Sequence, residues 1–368
     1  MAGWVVVGIP GSRRVGLFGA ALRAAGLPPA RLVPWADVLR GRSPAFGGGE
    51  TVRVESPGED AEVDRLLRGP LDAARVEGTA RWYTALTGAV RGLGRAATAA
   101  GAALLHDPAE FAVLFDKRLC HGVLAGAGVA VPASPTSGPA APSVAGWEDV
   151  RALMAGAGLR RAFVKIAHGS SASGVLAVET ASRGRVRAVT SVERDAAGRL
   201  FNSLRVRAYA TERQVAAVVD ALAPDGLHVE RWLPKAALGG RSADLRVVVV
   251  AGRATHAVVR TSRSPMTNLH LGGARGDLAA VRAAVAAAGG SFGEALALCE
   301  RAAACFPRTH CVGVDLLPES GWRRFAVGEV NAFGDLLPGL TGLPGTAAEG
   351  LDTYAAQLAA APLRGTRG

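Results

Sequence analysis

Short runs of β-branched and other apolar residues alternate along this 368-residue chain with alanine-rich stretches whose apolar positions recur at helical spacing. Trp4–Ile9 reads as a buried strand, followed by a helix to about Ala25 and a second strand over Arg31–Val33. Asp107-Pro108 opens a helical stretch, and Asp116-Lys117-Arg118 stands near the start of a further helix to about Ala127. Val129–Pro132 is expected to be a short strand, and the Pro-, Ala- and Ser-rich segment to Ala145 a surface connection. Trp147–Ala155 is expected to be helical. Two β-rich runs then flank a loop of glycines and serines between Phe163 and Glu179. Strands near 185–191 and 201–209 precede a helix over 211–222. The strand that starts at His228 is ended by Pro234. In the last third, strands over 244–250 and 254–260 surround the turn Ala251-Gly252-Arg253. Helices over about 277–288 and 292–305 and strands near 311–316 and 324–330 complete the pattern. No sequence repeat recurs at the period of a solenoid.

This length allows two or three lobes with well-buried cores. Cys120, Cys299, Cys305 and Cys311 form no CxxC pair and read as reduced, mostly buried thiols, not as a zinc site. The apolar run at the N-terminus is too short, and its charges fall on the wrong side, for a signal peptide. No stretch approaches the apolar length of a membrane span, so a cytoplasmic protein without a membrane partner is expected. The formal charge of +11 invites a nucleic-acid reading, but the arginines are scattered and aromatic residues make up only 5%. Small anions, above all a nucleoside triphosphate, are the better-matched partners.

The basic residues carry a sharper signal. Lys and Arg total 42, and the only lysines are Lys117, Lys165 and Lys235. Where arginine serves for any generic positive charge, the surviving lysines mark places that need a compact ammonium on a flexible stem. Lys165 lies in FVKIAHGSSASGVLAVE. Gly169 and Gly174 have the spacing of the first half of a P-loop, but Val175-Leu176 continue as a strand where a P-loop needs Lys-Ser/Thr opening a helix. The segment is therefore read as a hairpin whose loop is a flexible lid. Its backbone N–H groups are suited to cradling phosphates beside the lysine, against the plainer reading of a Ser/Gly turn. Ser12-Arg13-Arg14 fall at the carboxyl end of the first strand, where open α/β sheets bind ligands, or else form a tight turn with solvated arginines.

GVDLLPE and FAVGEVNAFGD read as two antiparallel strands joined by Pro318–Trp322. Glu329 and Asn331, two residues apart, share a face, and Asp315 is placed to oppose them across the ladder. Two carboxylates and an amide oxygen suit Mg²⁺ completed by water and substrate phosphates; solvated strand-edge residues are the alternative. Asp244 and Arg246 also share a face, and Arg260 ends the following strand. Arginines there are able to neutralise charge that grows in a transition state, or merely to form surface ion pairs. Asn268 and His270 follow in a loop with Gly272-Gly273.

Taken in order, Asp116-Lys117, VKIAHGSSASGV, VERWLPKA, DLRVVVVAGRATHAVVR, NLHLGG, GVDLL and GEVNAFGDLLPG resemble the ATP-grasp superfamily over about residues 108–345. The motifs are most similar to the branch that ligates glutamate to peptides, proteins or cofactors, and to a further bacterial group of ATP-grasp proteins. The resemblance implies an α/β protein with α+β lobes. An N-terminal α/β pre-ATP-grasp domain would span 1–107, a central lobe with the lid 108–232, and a C-terminal lobe with the metal site 233–361. It implies ATP with Mg²⁺, or Mn²⁺ as the alternative. Lys117 and Lys165 match the phosphate-binding lysines, and Gly169, Ser170, Ser171, Ser173 and Gly174 the lid. Glu230, Arg231, Trp232 and Leu233 match the hinge whose backbone reads adenine. Asp315, Glu329 and Asn331 match the metal ligands, Arg246 and Arg260 the arginines near the transferred phosphate, and Asn268 an asparagine beside the metals. Two positions depart from the pattern: Lys235 stands where an acidic residue often contacts ribose, and Leu271 where the ligase branch commonly has arginine.

The implied reaction joins a carboxylate to an amine through an acyl phosphate, with Arg260 at the oxyanion and the lid excluding water. The expected substrate is an amino acid, a peptide or a peptide-like molecule, with a peptide or protein as a candidate partner. A kinase that stops after phosphoryl transfer is one alternative, and a non-catalytic nucleotide-binding partner another. The full set of lysines, arginines and metal ligands argues against the last.

Overall fold

A computed structural model describes residues 3–58, 60–169, 173–181, 185–335 and 337–361. Three sheets carry the architecture. The first is parallel, with the order β2-β1-β3-β4 built from β1 (Trp4–Gly8), β2 (Arg31–Pro34), β3 (Thr51–Val54) and β4 (Ala103–Leu104). Its connections are α1 (Arg13–Ala24), α2 (Trp35–Leu39), α3 (Ala61–Arg68) and the long α4 (Thr79–Ala100). β1 is buried along its whole length, as a parallel strand covered on both faces must be. The strand order sets the carboxyl ends of β1 and β3 side by side, a position that binds ligands in open α/β sheets.

Two short helices follow, α5 (Pro108–Leu114) and α6 (Lys117–Gly126). Both start where the sequence dictates. The Asp107 and Asp116 carboxylates accept from free N–H groups of the first turns, and Pro108 takes a position that needs no donor. After α7 (Trp147–Gly156) comes an antiparallel sheet ordered β8-β7-β6-β5-β9. Its strands are β5 (Arg161–Ile166), β6 (Val175–Thr180), β7 (Val186–Arg194), β8 (Leu200–Tyr209) and β9 (Leu227–Arg231). Helix α8 (Glu212–Leu222) precedes β9 and opens with a capping box between Thr211 and Gln214.

The third sheet is antiparallel in the order β13-β12-β11-β14-β15, with β10 (Ala237–Leu238) paired to β11. It comprises β11 (Arg241–Val250), β12 (Arg253–Ser262), β13 (Ala274–Gly276), β14 (Cys311–Pro318) and β15 (Phe325–Asn331). Helices α9 (Leu278–Ala287) and α10 (Phe292–Ala304) pack on it, and α11 (Thr353–Ala359) returns to lie against α1.

One core runs unbroken from Val5 and Val52 through Phe111 and Leu124 to Leu245 and Val314, so the first and third sheets share an interior. The central sheet has its own, around Trp147, Val164, Val178, Val218 and Val229. Val129–Pro132 is not a strand. The segment lies beside β15 and is joined to it where Val327 N donates to Ala130 O at 2.7 Å, and Pro132 has no N–H with which to extend a ladder. All four cysteines are free, and only Cys305 is not fully buried. Among the described residues, no helix is long and apolar enough to cross a membrane.

Candidate functional site

The two β-rich runs around the glycine loop form the hairpin β5–β6, in which Lys165 opposes Val175 on one side and His228 of β9 on the other. Ser170 and Ser171 lie outside the described residues; Gly169, Ser173 and Gly174 lie within them. Both glycines are required by packing. A Cβ on Gly169 would come within 2.5 Å of the Ile166 side chain, and one on Gly174 within 2.9 Å at a φ of +64°. The base of the hairpin is tied to α6, where Lys117 N donates to Ala167 O at 3.0 Å and Lys117 Nζ to Gly169 O at 2.6 Å. His168 stacks on Tyr83 with ring centroids 3.9 Å apart.

Each of these lysines meets a carboxylate. Lys165 Nζ is 2.5 Å from Glu230 Oε1, and Lys117 Nζ is 2.7 Å from Glu329 Oε1. The Glu230 side chain therefore turns inward onto Lys165 and toward His228 Nε2 at 3.3 Å, while Arg231 is exposed. The N–H groups of Arg231 and Trp232 are taken by Ala133 O at 2.7 Å and Arg161 O at 3.2 Å.

On the third sheet, register decides what meets. Arg246 opposes Asp315, Asp315 opposes Glu329, Gly313 opposes Asn331, and Asp244 opposes Arg260. Arg246 Nε lies 2.6 Å from Asp315, and Arg260 donates to Asp315 at 3.0 Å and to Asp244 at 2.8 Å. The β14–β15 register shifts just after Asp315, leaving Gly328 as the extra residue of a bulge beside Glu329. Asn331 Nδ2 donates to Gly313 O at 3.2 Å, so its Oδ1 is left as an acceptor. Asn268 caps the 3-10 turn Leu269–Leu271 through a bond from His270 N at 2.9 Å, one residue after Thr267, which donates to Asp244.

Lys235 and Asp335 belong to this cluster although neither was singled out as a site residue from sequence. Lys235 Nζ sits 3.2 Å from Asp244 and 3.0 Å from Thr267 Oγ1, and Arg246 Nη1 sits 3.2 Å from Asp335. The scarcity of lysine did point at Lys235, since all three lysines of the chain converge here. Nothing local marks Asp335.

No protein-family model matches the chain, and no curated protein does. Solved structures do. The ATP-grasp ligase PsnB complexed with a minimal precursor is similar over 98% of this chain and 99% of that one, at a TM-score of 0.54 and 16% identity. The chain has the ATP-grasp fold. The ADP complex of PurK, N5-carboxyaminoimidazole ribonucleotide synthetase, covers 98% of this chain and 76% of its own at a TM-score of 0.54 and 10% identity. A RiPP-associated ATP-grasp ligase of Chryseobacterium gregarium, in complex with ADP and a leader and core peptide, is similar over 91% and 90% at a TM-score of 0.51 and 12% identity.

Within this fold a narrow cleft separates the central sheet from the third. Leu114, Leu124, Val131 and Val327 give it apolar walls, and Lys117, Lys165, Glu230 and Glu329 give it a charged end. Five cations (Lys117, Lys165, Lys235, Arg246, Arg260) stand against five carboxylates (Glu230, Asp244, Asp315, Glu329, Asp335), so the cluster is close to neutral. Burial alone would raise the Glu230 carboxyl, but Lys165 and His228 outweigh it and hold the pKa down at about 2. Burial likewise pulls Lys165 down, and Glu230 and Glu329 reverse the direction. Asp315 and Asp244 are held below the usual carboxylate range against burial by the arginines beside them, and Asp244 also by Lys235. Each carboxylate with a lowered pKa here is ionised at neutral pH and matched by the cations beside it.

The donor set of Asp315, Glu329 and Asn331 Oδ1 is all oxygen, which fits a hard divalent cation. Among the described residues no group of three or more His, Cys, Asp or Glu gathers to hold a metal by itself. The fit is thus to a cation that arrives with phosphate oxygens to complete its shell.

Proposed function

We propose that this ATP-grasp chain is an ATP- and Mg²⁺-dependent carboxylate–amine ligase that works through an acyl phosphate. The observation that carries the proposal is the charge-balanced cluster between the two sheets. A nucleoside triphosphate with its divalent cations is itself close to neutral, and here each of its charges would exchange with a protein group already in place. Lys117 would shift toward phosphate oxygens, leaving Glu329 to the cation, while Lys165, kept on Glu230, would offer its remaining N–H donors to phosphate. The apolar walls match a base in character, and just past β9 the Leu233 N–H makes no hydrogen bond among the described residues, which fits a donor to a ring nitrogen. Mg²⁺ (or Mn²⁺), bound with the triphosphate by Asp315, Glu329 and Asn331, supplies charge neutralisation at the γ-phosphoryl group.

The chain's own residues do the rest. Arg246 and Arg260, fixed by Asp315 and Asp244, present guanidinium groups to the equatorial oxygens during transfer. A substrate carboxylate oxygen forms the new bond to phosphorus as ADP leaves. An amine nitrogen then attacks the acyl carbon, phosphate departs, and the amine loses a proton. Arg260 faces the oxyanion of that second step, Asn268 positions the reacting phosphate, and the hairpin loop covers both from water. PsnB has been solved with a precursor peptide and the Chryseobacterium gregarium ligase with a leader and core peptide, which supports a peptide or amino-acid substrate for this chain too.

The test is a trap. With Mg-ATP and the acid substrate, hydroxylamine replaces the amine and collects the activated acid as a hydroxamate. ADP release with an O-phosphorylated product and no hydroxamate would replace the ligase with a kinase.

A further inference from the structure

We propose that the open edge of the first sheet, along β4, docks an extended acidic segment of a partner peptide, which joins the four strands as a fifth. The inference does not need the ligase reading. The edge lies in a groove that shares no lining residue with the cleft between the other two sheets.

β4 ends its sheet and pairs only with β3. Ala103 N donates to Glu50 O at 2.8 Å and Leu105 N to Val52 O at 3.0 Å. Backbone polar groups of successive strand residues point to opposite sides, so those of Leu104 and His106 point away from β3. The Leu104 N–H and C=O and the His106 N–H make no hydrogen bond among the described residues. Donors and acceptors therefore stand at strand spacing with no strand upon them.

Beside them is a groove of about 710 Å³. Ala102, Leu104 and His106 line it, and Ala103 and Leu105 do not, as an opening on the outward side requires. The facing wall is the end of α4, through Arg91, Arg95 and Thr98. A Cβ on Gly94 would lie 2.6 Å from Pro108 Cγ, so its missing side chain lets α4 close on the start of α5, where Pro108 bounds the groove. Arg91 and Arg95 are exposed and pair with no carboxylate among the described residues. Asp107, also in the lining, is already matched by Arg308 at 3.0 Å and caps α5. His106 adds no charge: its Nε2 donates to Ala332 O at 3.1 Å, and burial pushes its pKa down to about 3. The groove thus keeps two unmatched positive charges.

Their spacing selects the occupant. Four residues apart on α4, the two arginines are separated by about 6 Å of helical rise, close to the roughly 6.6 Å between alternate residues of a strand. An added strand with acidic residues two apart brings a carboxylate to each arginine while its backbone meets Leu104 and His106. Other occupants serve only part of the site. A phosphate chain meets the arginines but lacks N–H and C=O groups alternating at strand spacing. A second copy of this chain laid edge to edge would bring the same arginines together across the symmetry axis, like charge against like.

The experiment measures fluorescence anisotropy on the full chain with labelled, end-blocked heptapeptides that alternate Glu with Thr. The controls replace Glu with Lys, gather the Glu residues at one end, or N-methylate alternate backbone amides in each register. A labelled single-stranded oligonucleotide is the last control, and amide hydrogen exchange is followed on the same samples. The alternating Glu peptide is expected to bind and to slow exchange at Leu104 and His106, while the Lys peptide and one N-methylated register fail. Arg91→Ala combined with Arg95→Ala should weaken binding by about tenfold, with an unchanged thermal unfolding midpoint to show that the variant folds. Arg91→Glu combined with Arg95→Glu should transfer binding to the Lys peptide. The inference is overturned if the alternating Glu peptide does not bind, or if it binds without slowing exchange at Leu104. Equal binding by the gathered-Glu and both N-methylated peptides would overturn it too, by reducing the contact to charge attraction. Tighter binding of the oligonucleotide, or a dimer of the chain alone with the same amides protected, would overturn it in favour of that occupant.

Discussion

Lys165 and Lys117 reach the same cleft with carboxylate partners at similar distances, 2.5 and 2.7 Å, yet the two pairs are built differently. Lys165–Glu230 is internal to one sheet. Lys165 opposes His228 across β5–β9, and Glu230, two residues further on, shares that face, with only 3% of its side chain exposed. Lys117–Glu329 joins the start of α6 to β15, and 26% of the Glu329 side chain is exposed. Lys117 also holds Gly169 O at the base of the lid hairpin, so it spans the two separately packed bodies. The first pair is part of the central sheet's own stability. The second is a clasp between bodies, and ligand or metal can replace either of its partners without stranding a buried charge.

The largest expected effect comes from breaking the internal pair. Lys165→Ala leaves Glu230 buried without its cation and should lower unfolding free energy by about 3–5 kcal/mol in denaturant titration. Replacing both partners, as in Lys165→Met with Glu230→Leu, should recover most of that loss, because well-packed apolar residues no longer leave a charge unmet. Lys117→Ala should cost at most about 1 kcal/mol of stability, yet weaken ATP binding by about 1.5–3 kcal/mol through the lost charge-assisted contact. Equal stability losses for the two single variants would dissolve the distinction.

Acid sharpens it next. Lys165 and His228 hold the buried Glu230 carboxyl down at about 2, well below the 4.5 of an unperturbed glutamate. A depressed carboxylate contributes stability that is present above its unfolded pKa and lost as pH falls through the folded one. The contribution, up to about 3 kcal/mol at about 1.4 kcal/mol per pKa unit, should therefore disappear between about pH 4.5 and 2. Glu230→Gln should start less stable and lack this acid-sensitive step. Retention of the full step in that variant would place the sensitivity elsewhere, with Asp244 and Asp315 the next groups to test. Smaller again in free energy, Glu329→Gln should reduce ADP formation by about 100-fold, or roughly 2.7 kcal/mol, while unfolding stays within about 1 kcal/mol of wild type. Undiminished turnover at limiting Mg²⁺ would remove Glu329 from the metal site.

What was legible in the sequence follows from how locally each feature is encoded. Strand periodicity sets Glu329 and Asn331 on one face, and the short connection, read from sequence as Pro318–Trp322 and running from Glu319 to Arg324 in the structure, brings Asp315 opposite Glu329. Helix starts at Asp107 and Asp116 are carried by the capping residue itself. The Lys165–Glu230 pair was not legible, because it depends on which strand pairs with β5, and β9 begins some 60 residues away from it in sequence. Glu230 was read for its backbone, and its side chain proved to face the cleft. Lys235 was read as a departure from a ribose contact, whereas tertiary packing directs it to Asp244 and Thr267. Val129–Pro132 has the composition of a strand, but proline at its end and a neighbour that offers a single bond kept it out of the sheet.

The smallest expected effect tests whether surface charge has any part in holding the site. Arg324 and Glu319 form an ion pair at 2.9 Å in the connection between β14 and β15, with 80% of the arginine side chain exposed. That connection precedes the register that sets Asp315 against Glu329, so a surface pair is at least positioned to matter. Physically it should not. Two long side chains held in water gain little from each other, and the backbone bond from Glu319 N to Arg324 O at 2.9 Å closes the turn without them. The register is fixed deeper, by Val314, Leu316, Val327 and Val330, all buried in the shared core. Arg324→Ala is therefore expected to change unfolding by no more than about 0.5 kcal/mol and to leave ADP formation at the wild-type rate. Added salt should not move either value. A loss of turnover approaching that of Glu329→Gln would mean that the exposed pair aligns β14 with β15, and the contrast between internal pair and clasp would no longer account for which charges the site depends on.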